Sequence, residues 1–174
     1  MKRVLMLGLL ALMLAATVAQ ATTVLYVPVK KSIQLSDYVL VGSVTRLEPA
    51  YDAEGQIVTR VHLLVEESLK GDIRSGEEFI FTAWGGSLDG MTTETVGEAR
   101  YNLGEKVMVQ LESIQGEYHT LGLSFGKWSV VRENDGSSTV VRSLFDLNMV
   151  GLNEVPVTKM PLGRMREIAR QTSY

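Results

Sequence analysis

Residues 57–67 alternate along the chain, with Ile57, Thr59, Val61, Leu63 and Val65 on one side and Val58, Arg60, His62, Leu64 and Glu66 on the other. A period of two with one apolar side predicts a long strand in an antiparallel sheet, facing a core on one face and water on the other. Residues 38–47 are apolar on both sides over their first half, which predicts a strand covered on both faces. Gly42 interrupts that run, and a glycine inside a strand predicts a bulge or bend of the kind that lets one strand serve two edges of a barrel. Residues 78–84 alternate again, Phe79, Phe81 and Ala83 against Ile80 and Thr82, and Asp52-Ala53-Glu54-Gly55 and Leu69-Lys70-Gly71-Asp72 supply turns between these strands. Shorter strands are predicted over 106–111, 118–123 and 127–132, and Asn134-Asp135-Gly136 is a turn signal before a strand over 138–142.

The flanks differ from this body. Residues 23–29 are apolar and β-branched but broken by Pro28, which predicts an edge segment or extended arm. Residues 30–35 predict one helical turn with Ile33 and Leu35 turned inward. Pro161 followed by Leu162, Met165, Ile168 and Ala169 at helical spacing predicts an amphipathic C-terminal helix over about 161–171. Residues 85–103 hold Gly85, Gly86, Gly90 and Gly97 with Thr92, Thr93 and Thr95 between them, and they show no period. A long aperiodic stretch inside a compact domain predicts a functional or mobile loop. Together these patterns predict one all-β domain over 22–174, its core within 36–142, closed or partly closed as a small antiparallel barrel with a short C-terminal helix.

The first 21 residues change the setting. Lys2 and Arg3 precede an apolar run from Val4 to Val18, and Ala19-Gln20-Ala21 fits a small-x-small cleavage site, so residues 1–21 read as a secretory signal peptide. The expected mature chain begins at Thr22 and is exported, to the periplasm or the extracellular space. The competing reading is an uncleaved anchor. The run is short against the roughly 20 residues that cross a bilayer, and no stop-transfer charges follow it. The chain has no cysteine, which excludes a lipid anchor, disulfides, thiol nucleophiles and cysteine-bound metals. With 17 Lys and Arg against 20 Asp and Glu, and Lys2 and Arg3 within the signal, the mature chain is mildly acidic and has no basic stripe. Nucleic acid and stable membrane association are therefore not expected.

Val65-Glu66-Glu67-x-Leu69-Lys70-Gly71, then Gly85-Gly86, Gly104-Glu105-Lys106 and Gly126-Lys127-Trp128, resemble a group of exported bacterial proteins of unassigned function, over residues 36–131. The opening Ser36-Asp37-Tyr38-Val39-Leu40-Val41-Gly42-Ser43-Val44 and the Val65-Glu66-Glu67-x-Leu69-Lys70-Gly71 segment are also similar to the start of netrin-like modules, the fold of tissue inhibitors of metalloproteinases. That resemblance implies a five-stranded barrel of the oligonucleotide/oligosaccharide-binding (OB) type. Such inhibitors bind their protease's metal through an amino-terminal cysteine, and this chain has none, so the resemblance does not carry that activity.

Candidate chemistry is sparse. His62 and His119 lie on separate strands without a second ligand at metal-binding spacing, and His62 is expected on the solvated face with Arg60 and Glu66. Asp52 to Gly55 lacks the later ligands of a calcium loop. Glu66 and Glu67 are strand neighbours and point to opposite faces, so they cannot converge on one bond. No serine sits in a Gly-x-Ser-x-Gly elbow, and neither Gly85-Gly86 nor Gly122-x-x-x-Gly126 is a nucleotide fingerprint. No catalytic residue, metal ligand or cofactor site is expected. The remaining constellation is aromatic and cationic: Trp84, Gly85 and Gly86 where the loop begins, Arg100 and Tyr101 where it ends, and Lys127 and Trp128 on a later strand. Trp, Tyr and Arg are the types enriched at binding hot spots. The competing reading is that Trp84, Tyr101 and Trp128 plug the open end of the barrel. The expected function is a non-catalytic binding or accessory module of the cell envelope that contacts a protein or a glycan. The alternatives are a protease-inhibitor-like protein, using its mature amino terminus or the long loop, and a hydrolase, for which no nucleophile–base pair is visible.

Overall fold

The computed structural model describes residues 22–172, and the 1–21 stretch that carries the export expectation lies outside them. Strands dominate. In chain order they are β1 (Thr22–Leu25), β2 (Tyr38–Tyr51), β3 (Ile57–Lys70), β4 (Glu78–Leu88), β5 (Met91–Glu94), β6 (Lys106–Ile114), β7 (Glu117–Thr120), β8 (Lys127–Arg132), β9 (Ser138–Val141), β10 (Leu147–Val150) and β11 (Lys159–Pro161). Helix α1 (Val29–Leu35) precedes β2, α2 (Leu162–Arg170) follows β11, and a 3₁₀ turn (Leu123–Gly126) leads into β8.

Five strands close on themselves. β2 pairs antiparallel with β3 along its whole length and with β6 along its first half. β3 pairs antiparallel with β4, β4 meets β7 in parallel at Thr82 and His119, and β7 returns to β6. The second edge of β6 is divided: its last residues, Leu111–Ile114, pair with β7, whereas Val107–Val109 pair with β8. From there β8, β9 and β11 continue the sheet outside the ring. β2 can hold two partners because it bends. The register with β3 shifts between Val41 and Gly42, and a methyl group on Gly42 would sit 2.3 Å from the Leu64 carbonyl oxygen, so only glycine fits there.

Alternation on the shared strands builds two apolar layers. Leu40, Val44, Val61, Leu63, Phe81, Val107, Val109 and Leu111 point into the ring. Val39, Val41 and Met108, their neighbours on the same strands, point outward and pack with Trp128 and Val140 beneath Ile33 of α1 and Leu162, Met165 and Ala169 of α2. The amphipathic C-terminal helix is thus a lid on the ring's outer face, held at its rim by Arg166, whose Nε and Nη2 both donate to the Glu67 carboxylate at 2.7–3.0 Å. Glu66, one residue earlier, faces the other way and accepts from Ser43 Oγ and Lys106 Nζ, as strand geometry requires. A third cluster, Tyr26, Phe125 and Leu147, anchors the parallel pair β1–β10.

Two local expectations fail. Leu35 was expected inward but is 50% exposed, because α1 is a single short helix whose buried face is Val29, Ser32 and Ile33. Residues 85–103 are not aperiodic throughout: β4 runs on to Leu88 and returns as β5, Gly85 opposite Glu94 and Leu88 opposite Met91. Asp89 and Gly90 have φ of 52° and 77°, the two positive values that a type I′ hairpin turn needs.

Candidate binding cleft

Gly85 and Gly86 make the hairpin possible at this spot. Both have positive φ, and a methyl group on Gly85 would lie 2.6 Å from the Thr93 carbonyl oxygen, on Gly86 2.7 Å from Thr59 Oγ1. With no side chains there, β5 closes over the end of the ring and the Thr59 hydroxyl donates to the Gly85 carbonyl at 2.8 Å. Beyond β5 the chain turns at Gly97 and runs back as Glu98-Ala99-Arg100-Tyr101. Ala99 and Tyr101 enter the ring's core. The Tyr101 ring meets Phe81 edge-on at 5.2 Å, and its hydroxyl shares a 2.7 Å hydrogen bond with Thr120. Burial pushes that phenol far above its ordinary range.

Between the hairpin and this returning segment lies a cleft of about 280 Å³, bordered by Trp84, Gly86, Thr93, Thr95, Glu98 and Arg100, with Gly85 and Tyr101 also on its wall. Trp84 is half-buried, with one ring face stacked on His119 at 4.4 Å and 10°. His119 is itself buried, and desolvation holds its imidazole below the ordinary pKa despite the opposing carboxylates of Glu117 and Glu112. It is therefore neutral at pH 7 and serves as a flat support for the indole. Arg100 is 82% exposed and lies 3.6 Å from the Glu94 carboxylate, so a loose ion pair spans the mouth. Glu98 sits deeper. Burial lifts its carboxyl to about 7, Oε1 accepts from the Ala99 N–H at 3.1 Å, and Oε2 is buried without a hydrogen-bond partner.

Of the seven residues singled out in the sequence, the structure brings Trp84, Gly85, Gly86, Arg100 and Tyr101 to this cleft. Lys127 stands behind it: Nζ lies 4.9 Å from the Tyr101 ring centroid, donates to the Arg100 carbonyl, and pairs with Glu105 at 2.8 Å. Burial raises the Glu105 carboxyl, but hydrogen bonds from Lys127 and Ser129 reverse this and leave it below the ordinary range. Trp128 lies apart, 0% exposed in the layer under α1 and α2. Lys127 and Trp128 are strand neighbours and face opposite sides of β8, so one cleft cannot hold both. Glu98, Glu94 and the threonines of β5 are cleft residues that no sequence motif marks.

His62 is not on a solvated face. It is 2% exposed, with Nδ1 3.1 Å from Glu78 and Nε2 3.4 Å from Glu48, beneath the Arg46 guanidinium. The register of β2 and β4 against β3 puts those long side chains over it, which alternation along β3 alone could not reveal. Among the described residues no group of three His, Asp or Glu side chains is placed to hold a metal ion. No protein-family model, curated protein or solved structure matches the chain.

Proposed function

We propose that the protein is an exported, non-catalytic binding module of the cell envelope, built on an OB-type barrel, and that its cleft between β4–β5 and residues 98–101 takes a glycan. The single observation that carries this reading is the make-up of the cleft. A rigidly backed indole stands beside the hydroxyls of Thr93 and Thr95 and the Glu94–Arg100 ion pair. A flat apolar ring with many hydroxyl and charged partners suits a sugar, which offers C–H faces and hydroxyls together, better than it suits a purely apolar ligand. The OB reading is supported by the order of the ring. Numbered within it, β2, β3, β4, β6 and β7 follow one another as 1-2-3-5-4-1, with strands 3 and 5 parallel. OB barrels bind oligosaccharides and oligonucleotides on the face of strands 2 and 3. Here those strands are β3 and β4, which give Thr59, Val61 and residues 83–87 to the cleft wall. The acidic balance of the chain favours a sugar over a polyphosphate.

The chain has two tryptophans, and Trp128 is fully buried, so intrinsic fluorescence reports chiefly on Trp84 when a ligand enters. Titrating the purified protein with hexose, N-acetylhexosamine and uronate oligomers is expected to give a saturable change in emission with at least one of them. Trp84→Phe should abolish the change. No response to any oligomer, or a response that survives in Trp84→Phe, removes the proposal.

A further inference from the structure

An open hollow of about 480 Å³ lies at the ring's other end, walled by Asp37, Tyr38, Gly71, Asp72, Ser113 and Tyr118. The glycan cleft takes Thr59 from the start of β3, whereas this hollow takes Gly71 from just past the end of the same strand. Tyr38 and Tyr118 cross edge to face at 5.1 Å, and each packs on Phe79, at 4.9 and 5.3 Å, so the core fixes both phenol rings in place. Gly71 lets the chain turn tightly against them. Its φ is 97°, and a methyl group there would lie 2.2 Å from the Tyr38 ring.

Two carboxylates stand on this wall and no Lys, Arg or His does. Asp37 Oδ2 accepts from the Ser113 N–H at 2.7 Å, which fixes that carboxylate at the rim. Asp72 is exposed, and neither aspartate forms an ion pair with a described cation. Lys70, next to Gly71, directs its Nζ instead to the carbonyls of Ile33, Gln34 and Ser36 at the end of α1. Both negative charges reach the rings. The Tyr38 phenol is held above its ordinary range first by its hydrogen bond with Tyr118 and then by burial, and the charges of Asp72 and Asp37 add to the effect.

Fixed aromatic rings beside uncompensated carboxylates attract a cation, through the ring quadrupoles and by direct pairing. Two carboxylates are too few for a bare metal ion, and no group of three His, Asp or Glu side chains among the described residues is placed to hold one. An ammonium's three rotatable donors suit acceptors spread around a hollow better than the rigid fork of a guanidinium does. We propose that this hollow is a binding site for one primary ammonium group, with the Asp37 and Asp72 carboxylates as its charged acceptors and the rings of Tyr38 and Tyr118 as its wall. The ammonium can come from an amino sugar or from a lysine side chain. The site does not depend on the glycan reading.

The test compares amines with their own acetamides on the purified protein at about pH 6, where both amines are protonated: glucosamine against N-acetylglucosamine, and Nα-acetyl-lysine methylamide against its Nε-acetyl form. The amines are expected to shift the ¹⁵N–¹H signals of Gly71, Asp72 and Ser113 saturably, and the acetamides are not. Glucosamine alone assigns the ammonium to a sugar and the lysine derivative alone to a protein, while a response to both keeps the shared ammonium as the ligand. Asp72→Asn, at an exposed position, should weaken binding about threefold or more. Tyr118→Leu, which removes one ring of the wall, should also weaken it. Equal responses to amine and acetamide, or unchanged affinity in Asp72→Asn, overturn the site. Shifts of equal size at exposed acidic residues elsewhere, such as Glu54 and Asp135, overturn it too, since they report charge attraction alone. Should Tyr118→Leu not fold, the amine–acetamide comparison and Asp72→Asn decide. Amine binding at these signals, with no oligomer moving Trp84 emission, would keep this site and discard the glycan cleft. Sugars that move Trp84 emission, with no amine moving these signals, would do the reverse.

Discussion

Because burial lifts the Glu98 carboxyl to about 7 from an ordinary 4.5, the folded chain keeps a proton that the unfolded chain releases between those two values. The folded state then binds more protons than the unfolded state, and stability falls as pH rises through that window. The full effect is on the order of 3 kcal/mol, less whatever solvent screening removes from a partly buried side chain. Glu98→Gln has nothing to titrate there, so it should lack this loss and gain stability relative to the parent chain as pH rises through the window. Urea unfolding of both proteins at about pH 4, 6 and 8 measures this, and parallel pH profiles would refute it. Nothing in the sequence marks Glu98 or Arg142 as buried. A lone Glu after a glycine and a lone Arg at a strand end are solvated by default, and only the packing of distant segments puts them inside. Trp84, Arg100 and Tyr101 were legible as residue types that bind. Trp128 could have been set aside by the same alternation that separates Glu66 from Glu67.

At the scale of elements, long strands announced themselves and short ones did not. β3 and β8 carry enough period-two signal to be read directly, and Gly42 correctly marked the bend that gives β2 two partners. β11 has only three residues and is held by pairing with β9, while β10 is held by a parallel partner more than a hundred residues away, so neither carries a local signal. The β4–β5 hairpin was hidden because Gly85 and Gly86 read as strand breakers, although Asp89-Gly90 is a hairpin turn signal. These glycines differ in what they tolerate. Gly90 has nothing near its missing side chain, so Gly90→Ala should cost only the left-handed backbone penalty, about 1 kcal/mol. Gly85 adds a collision with the Thr93 carbonyl, so Gly85→Ala should cost about 2–3 kcal/mol. Denaturant midpoints at unchanged slope would bear this ranking out, whereas equal costs would mean that β5 moves aside freely.

At the scale of the whole molecule, the ring interior and the layer under the helices cannot be separated, because β2 and β6 supply alternate residues to both. Val39 and Val41 lie outside and Leu40 inside; Met108 lies outside, between Val107 and Val109 inside. Losing order on one face removes the backbone pairing that orients the other. The protein should therefore unfold in one cooperative step even though its buried residues form distinct clusters. Its two tryptophans make the test direct, since Trp84 stands at the ring's end and Trp128 in the helix-covered layer. Met165→Ala, fully buried on α2, should cost about 2–5 kcal/mol. In a Trp84→Phe background the remaining fluorescence reports Trp128, and in a Trp128→Phe background it reports Trp84. Met165→Ala should lower the urea midpoint in both backgrounds, although Trp84 lies outside the cluster to which Met165 belongs. A loss recorded by Trp128 alone would instead divide the chain into two independently stable layers, and the cleft would then stand on the ring without help from α2.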